Sequence, residues 1–209
     1  ALVTAFPTKI KGKKVVVLDV GANNENNAEE LLQFGYMGKA YDQALFSVKE
    51  PKVYLLSNGA EAHKGSPLVK EAHKMYLEDK FVGFQGNMEA RDVLNGDCDV
   101  IVCDGFSGNV LLKGMEGIAK MMSGMIKTNF KKNLWTKLGY LHVRKGFKDM
   151  SETMDYKSVG GAMLLGINGV VVKAHGNSDA YSFFSALKVA KQMVDYQVVN
   201  NIKESLKNE

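Results

Sequence analysis

With 209 residues, 45% of them hydrophobic, the chain can bury a substantial core as one domain or two small ones. No run approaches the eighteen or so apolar residues of a spanning helix, and the N-terminal ALVTAFPTKIKGKK lacks the order of a secretory signal, so the expectation is a protein neither integral nor exported. The net charge of +4 is local: Lys127 to Lys148 carries seven basic residues and no acid, leaving 20 basic against 23 acidic elsewhere. That distribution argues against a nucleic-acid-coating surface and for one basic patch.

Taken in chain order, β-branched apolar runs predict strands at VVVLDV (Val15 to Val20), KVYLLS (Lys52 to Ser57), FVGFQG (Phe81 to Gly86), DVIVCD (Asp99 to Asp104) and GVVVKA (Gly169 to Ala174). Helical patterns fall between and after them, at Asn27 to Phe46, Pro67 to Asp79, Glu89 to Leu94, Gly108 to Lys132 and Ser178 to Lys207. Ser66-Pro67 supplies a capping hydroxyl and a first-turn proline, and Asn177-Ser178-Asp179 supplies further caps. Nearly continuous apolarity in the strands means that both faces are covered, so the expected fold is a three-layer α/β/α sandwich with a mostly parallel sheet. Cys98 and Cys103 match neither a metal knuckle nor a disulfide framework and read as buried core thiols of a reducing cytoplasm. Only the stretch from about Asn129 to Tyr156 breaks the α/β rhythm.

In open α/β sheets ligands gather beyond the carboxyl ends of the strands. The residues there share a vocabulary: Asp19-Val-Gly21-Ala-Asn23, Ser57-Asn-Gly59-Ala-Glu61 on to Lys64-Gly65, Gly86-Asn87-Met88-Glu89, Asp104-Gly105-Phe-Ser-Gly108-Asn109, and Ala174-His175-Gly176-Asn-Ser-Asp179. Glycine lets backbone approach a ligand, and helix N-termini offer unpaired N–H donors that suit phosphate. A plain scaffold has no need of Asn, Asp, Lys and His in all five loops, so the edge is a candidate ligand site. None of the loops is a dinucleotide fingerprint, a P-loop or a nucleophile elbow. His63 and His73 are ten apart and His175 is remote, which leaves no metal-ligand spacing. Asp19 and Asp104 can hold magnesium, but acids at strand ends more often cap helices and orient loops.

Together these motifs resemble the PlsX family of phosphate acyltransferases. The matching strings are FPTK, LDVGAN, QFGYMG, Lys64-Gly65, GNMEARDVLNGDCDVIVCDGFSGNVLLKGMEG and GGAMLLGINGVVVKAHGNSDA, in order along the whole chain. The chain departs from the family in SNGAEAHKG, where Ser57 and Ala60 replace a usual Asn and Glu, and at Met163, where Pro commonly follows GGA. The resemblance covers what corresponds to the C-terminal two-thirds of the family's architecture. It implies an isocitrate/isopropylmalate dehydrogenase-like fold related to phosphotransacetylase, with a protruding helical tip at residues 127–156. It also implies a homodimer, no metal or nucleotide cofactor, and a cytoplasmic enzyme that docks on the membrane and works in fatty acid and phospholipid synthesis.

The implied reaction converts an acyl-acyl carrier protein thioester and inorganic phosphate to acyl-phosphate and free carrier protein. Phosphate is already anionic at neutral pH, so positioning and oxyanion stabilisation suffice, with no covalent nucleophile. Lys64, Lys113 and His175 are the candidates for charge neutralisation. Asn23, Asn87 and Asn109 are candidate donors to phosphate or the carbonyl, and Asp19 and Asp104 are candidate organisers. Gly21, Gly59, Gly65, Gly105, Gly108 and Gly176 are expected to make room at the substrate. Met88, Met115, Met163 and Leu165 are either the lining of an apolar channel or, more in keeping with their pattern, core.

The basic segment carries its own expectation. The chain's only tryptophan, Trp135, lies with Leu138 among Lys131, Lys132 and Arg144, a composition that suits a helix lying in an anionic membrane surface. An acidic acyl carrier protein is the competing partner. Two other functions fit the same residues: a phosphotransacetylase-like enzyme acting on acyl-coenzyme A, and a non-catalytic module that binds membrane or carrier protein.

Overall fold

The computed structural model describes residues 1–153, 161–174 and 179–207, with side chains of 148–153 outside the description. Among the described residues the strands are β1 (Leu2–Pro7), β2 (Lys14–Leu18), β3 (Val53–Ser57), β4 (Phe84–Glu89), β5 (Val100–Val102), β6 (Ala162–Leu164) and β7 (Val171–Lys173). The helices are α1 (Ala28–Phe46), α2 (Pro67–Glu78), α3 (Gly105–Phe130), α4 (Leu134–Thr153), α5 (Ala180–Asp195) and α6 (Val198–Ser205).

The strands form one sheet in the order β4-β3-β5-β2-β1-β6-β7. Pairs β3–β4, β3–β5 and β2–β5 are parallel, whereas β1–β2, β1–β6 and β6–β7 are antiparallel. Only β1 and β7 therefore run against the common direction, so the sheet is parallel on the β4 side and mixed on the other. Alternate residues of the central strands enter opposite cores. Val16, Leu18, Val53, Leu55, Val100 and Val102 pack with α1, α2, α5 and α6, for example on Leu31, Tyr76, Met193 and Ile202. Val15, Val17, Ile101 and Cys103 pack on the other face against Leu111, Leu112 and Met115 of α3. Burial of both faces is why the strands read as continuous apolar runs.

The structure departs from the sequence reading at several places, the unexpected strand β6 among them. Strand β1, absent from that reading, forms a hairpin with β2 whose turn is tied by Thr8, its amide donating to the Lys13 carbonyl at 3.0 Å. Strand β4 starts three residues later than expected because Gly83, at φ +105°, turns the chain beneath the Pro51 carbonyl, where a Cβ would lie at 2.6 Å. The helix expected over 89–94 is only a short 3-10 turn at Val93–Asn95, closed by Gly96 at φ +95°. The single helix expected over 178–207 breaks between α5 and α6 at Gln197, whose left-handed φ of 50° lets Met193 and Val198 both reach the core.

Helix α3 buries only Gly105 and Gly108. Its far end meets α4 through an aromatic cluster, with Phe130 5.4 Å from Tyr140 and 5.1 Å from Phe147 between ring centroids. Met121, Met122, Met125, Leu134, Leu138 and Leu141 are exposed along this pair, and Trp135 is 82% exposed.

Candidate active site

Asp19, at the carboxyl end of β2, is fully buried and organises the first loop. Its Oδ1 accepts from the amides of Leu2 (2.8 Å), Gly21 (3.0 Å) and Ala22 (2.8 Å), and its Oδ2 accepts from the amide and the side-chain Nδ2 of Asn23, both at 3.0 Å. A carboxylate receiving five donors has no capacity left for a ligand. It shapes residues 19–23 and ties β1 to β2. Asn23, in turn, spends its amide on this carboxylate.

Asp104 is the N-cap of α3, accepting from the Ser107 amide at 2.8 Å and the Ser107 hydroxyl at 2.7 Å. The Gly105 amide donates to Asn26 Oδ1 at 3.1 Å, so side chains rather than an anion occupy much of this helix N-terminus. Gly105 and Gly108 do make room, but for the first loop: a Cβ at Gly105 would lie 2.0 Å from the Asn23 carbonyl oxygen, and one at Gly108 would lie 1.9 Å from that of Asp19. The docking of the two loops brings Asn109 over Gly21, whose hypothetical Cβ would sit 3.4 Å from the Asn109 Cβ. The Asn109 side chain is half-buried and has no hydrogen-bond partner among the described residues.

A second cluster surrounds β3 and β4. Asn87 is buried, and its Nδ2 donates to the carbonyls of Glu61 (2.9 Å) and Lys64 (3.5 Å), while its Oδ1 lies 3.0 Å from His73 Nδ1. The two carbonyls fix which end of the amide faces His73, so His73 carries its proton on Nδ1. Asn87 is thus engaged as a clamp on the Lys64 loop, not as a donor to substrate. The Gly65 amide donates to Asn58 Oδ1 at 2.9 Å, and Gly59 lets the Lys64 stem fold close, its hypothetical Cβ 2.7 Å from Lys64 Cγ. The Lys64 ammonium is exposed, without an ion pair among the described residues, and Lys113 is exposed one turn beyond Asn109.

Parallel pairing of β2, β5 and β3 sets these clusters on one edge, about 5 Å per strand apart. His175 and Gly176 lie outside the described residues. Sequence reasoning gave no holding role to Asn26, Asn58 and His73, three further side chains that brace the loops and their clamp. The only signals for them are an Asn-rich run at 23–27 and an apolar-face position in α2. Neither cysteine is a nucleophile: burial, then Asp104 and Asp19, pushes the Cys103 thiol well above its ordinary value, and burial pushes Cys98 up to about 12. Among the described residues no three His, Cys, Asp or Glu side chains gather as metal ligands. What remains available at the edge among the described residues includes the Asn109 amide, the Lys64 and Lys113 ammonium groups, the buried and unpartnered Ser57 hydroxyl and loop backbone, a set able to bind a phosphate and polarise a carbonyl.

The profile of the family described as "Fatty acid synthesis protein" matches residues 1–201. A phosphate acyltransferase of Exiguobacterium sp. (strain ATCC BAA-1283 / AT1b) is 49% identical over 205 residues, 98% of this chain and 62% of that protein. One from Thermoanaerobacter pseudethanolicus is 45% identical over 208 residues, 100% of this chain and 62% of the relative. The chain thus spans about 62% of the length of these relatives. A phosphotransacetylase from Streptococcus pyogenes superposes over 99% of this chain and 54% of its own, with a TM-score of 0.51 at 15% identity, which is a likeness of fold.

Proposed function

Because the chain belongs to the fatty acid synthesis protein family, in which relatives 45–49% identical are phosphate acyltransferases, we propose that it takes part in acyl transfer from an acyl-acyl carrier protein thioester to inorganic phosphate. A phosphate oxygen attacks the thioester carbon, the C–S bond breaks, and the carrier thiolate leaves and takes up a proton from solvent, giving acyl-phosphate. Lys64 balances the phosphate charge and the Asn109 amide donates to the developing oxyanion. Lys113 and His175 are further sources of positive charge. Asp19, Asp104 and Asn87 hold the loops in place.

The observation that carries this reading is Asn109. Its amide is unengaged among the described residues, while Asp19, Asp104 and Asn87 spend hydrogen bonds on loop contacts. The test is phosphate-dependent release of carrier thiol from an acyl-carrier thioester. Coenzyme A in place of carrier protein as the thiol product would instead indicate a phosphotransacetylase-like activity.

The proposal extends to location and assembly. Trp135, Leu138, Lys131, Lys132 and Arg144 are exposed on the α3–α4 pair, which supports docking of this basic tip on an anionic cytoplasmic membrane face. No helix among the described residues is long and apolar enough to cross a membrane. Tyr181, Phe183 and Phe184 are exposed on α5, and these aromatics support a homodimer contact.

A further inference from the structure

Beyond the polar loops, the carboxyl edge of the sheet carries a pocket of about 280 Å³ between α1, the β6–β7 turn and α6. Its walls are apolar, formed by Met37, Leu165, Ile167, Val199, Ile202 and Leu206. The turn at Gly166, φ +84°, presses on Met37, where a Cβ would lie 3.3 Å from the Met37 methyl carbon. Close-packed interiors leave few voids of this size, and an apolar recess open to solvent forfeits burial that a side chain could supply.

The position of the recess ties it to the loops. The Leu165 amide donates to the Ala1 carbonyl at 2.8 Å, the Leu2 amide to Asp19 Oδ1 at 2.8 Å, and the Val20 amide to the Leu2 carbonyl at 2.8 Å. Leu165 is therefore two strand spacings, about 10 Å, from the loop that faces Asn109. Gln33, Asn168 and Lys203 are the polar side chains of the lining, and Lys203 is exposed, its stem free to cover the apolar wall while its ammonium meets water.

We propose that this pocket takes the alkyl chain of the acyl substrate, with the thioester carbonyl at Asn109 and the tail crossing the start of β1. This rests on the acyl-transfer reading. An alkyl tail needs an apolar wall near the reacting carbon, and the Met37, Leu165, Ile167, Val199, Ile202 and Leu206 side of this recess supplies one on the same edge, with Lys203 at the rim. Of the residues considered from sequence as channel or core, Met88 and Met163 are core and Met115 packs against it, while Leu165 is core and also lines the pocket.

The experiment uses two readouts on the 209-residue chain and on Val199→Trp, with Gly169→Phe as a second filling variant because its added Cβ meets nothing within 4 Å. The first readout is binding of cis-parinaric acid by fluorescence, and the second is the ratio of palmitoyl to butyryl carrier-thioester turnover. Losing the burial of even two methylenes corresponds to about tenfold, so each filling variant that keeps its circular dichroism is expected to weaken probe binding and lower the ratio by at least that factor. Undiminished probe binding with an unchanged ratio overturns the proposal, as does failure of the unsubstituted chain to bind the probe. Probe binding that the variants abolish, without phosphate-dependent release from any thioester, supports the pocket and overturns the reaction.

Discussion

Asp42 of α1 is fully buried, and neither carboxylate oxygen has a hydrogen-bond partner among the described residues. Burial, reinforced by Asp99 and opposed by Lys13, pushes its carboxyl up to about 7 from 3.8. Lys13 is itself committed to Asp99 at 2.8 Å, which is why it compensates so little. Folded chains therefore hold a proton that unfolded chains release between about pH 4 and pH 7. The stabilising contribution of neutral Asp42 is complete below that window, drains across it and is gone above it. Asp42→Asn should remove this slope and raise stability above pH 7 by at most about 4 kcal/mol. Urea unfolding of both proteins at several pH values checks it, and parallel pH profiles would show that Asp42 titrates alike in the folded and unfolded chains. Asp19 is also fully buried, but its carboxyl oxygens accept from five donors. Asp19→Ala strands the buried Leu2 amide at about 1–3 kcal/mol and removes the part-buried loop hydrogen bonds at about 1 kcal/mol each, so it should lower stability by several kcal/mol in the same measurement.

At the scale of elements, the strand–turn–helix from β5 into α3 shows what was legible. Asp104 and Asp19 were readable as loop organisers from their place at strand ends, because that role needs only chain-local geometry. What Gly105 and Gly108 accommodate was not readable, since it depends on a loop more than 80 positions away in sequence. Strands β1 and β6 were missed for a related reason: β1 ends in proline and β6 is three residues long, so pairing with each other and with β2 creates them more than propensity does. The glycines of α3 divide accordingly. Gly108→Ala drives a Cβ against the Asp19 carbonyl and should cost more than about 2 kcal/mol. Gly114→Ala and Gly117→Ala meet open space and should stabilise α3 by up to about 1 kcal/mol each. Thermal melts of the three variants distinguish these outcomes. For the α3–α4 pair, Lys131→Glu with Lys132→Glu should weaken binding to anionic liposomes by at least about tenfold, since each basic residue contributes on the order of 1 kcal/mol at the surface. Equal co-sedimentation would place the membrane contact elsewhere.

At the scale of the molecule, the two clusters divide the work between holding and acting. Buried Asp19, Asn87 and His73, with Asp104 at the helix cap, spend their hydrogen bonds on loop backbone and on one another, whereas the Lys64 and Asn109 side chains have no partner among the described residues. That division was invisible in sequence because Asn87 and Asn109 are the same residue type near the carboxyl ends of two parallel strands, and only three-dimensional pairing separates the engaged amide from the unengaged one. The family relationship was legible because its motifs are collinear across the chain. The acyl pocket was not, because its walls come from residues 33–37, 164–169 and 199–206.

The most direct measurement is phosphate-dependent release of carrier thiol from an acyl-carrier thioester by the unsubstituted chain, Lys64→Ala and Asn109→Ala, with folding checked by circular dichroism. Loss of one preorganised oxyanion donor is worth roughly a hundredfold or more in rate, so Asn109→Ala should fall by that factor, with Lys64→Ala raising the phosphate concentration needed for half-maximal release. Release that ignores phosphate, or that proceeds at full rate in both variants, would contradict the assignment of this edge as the acyl-transfer site.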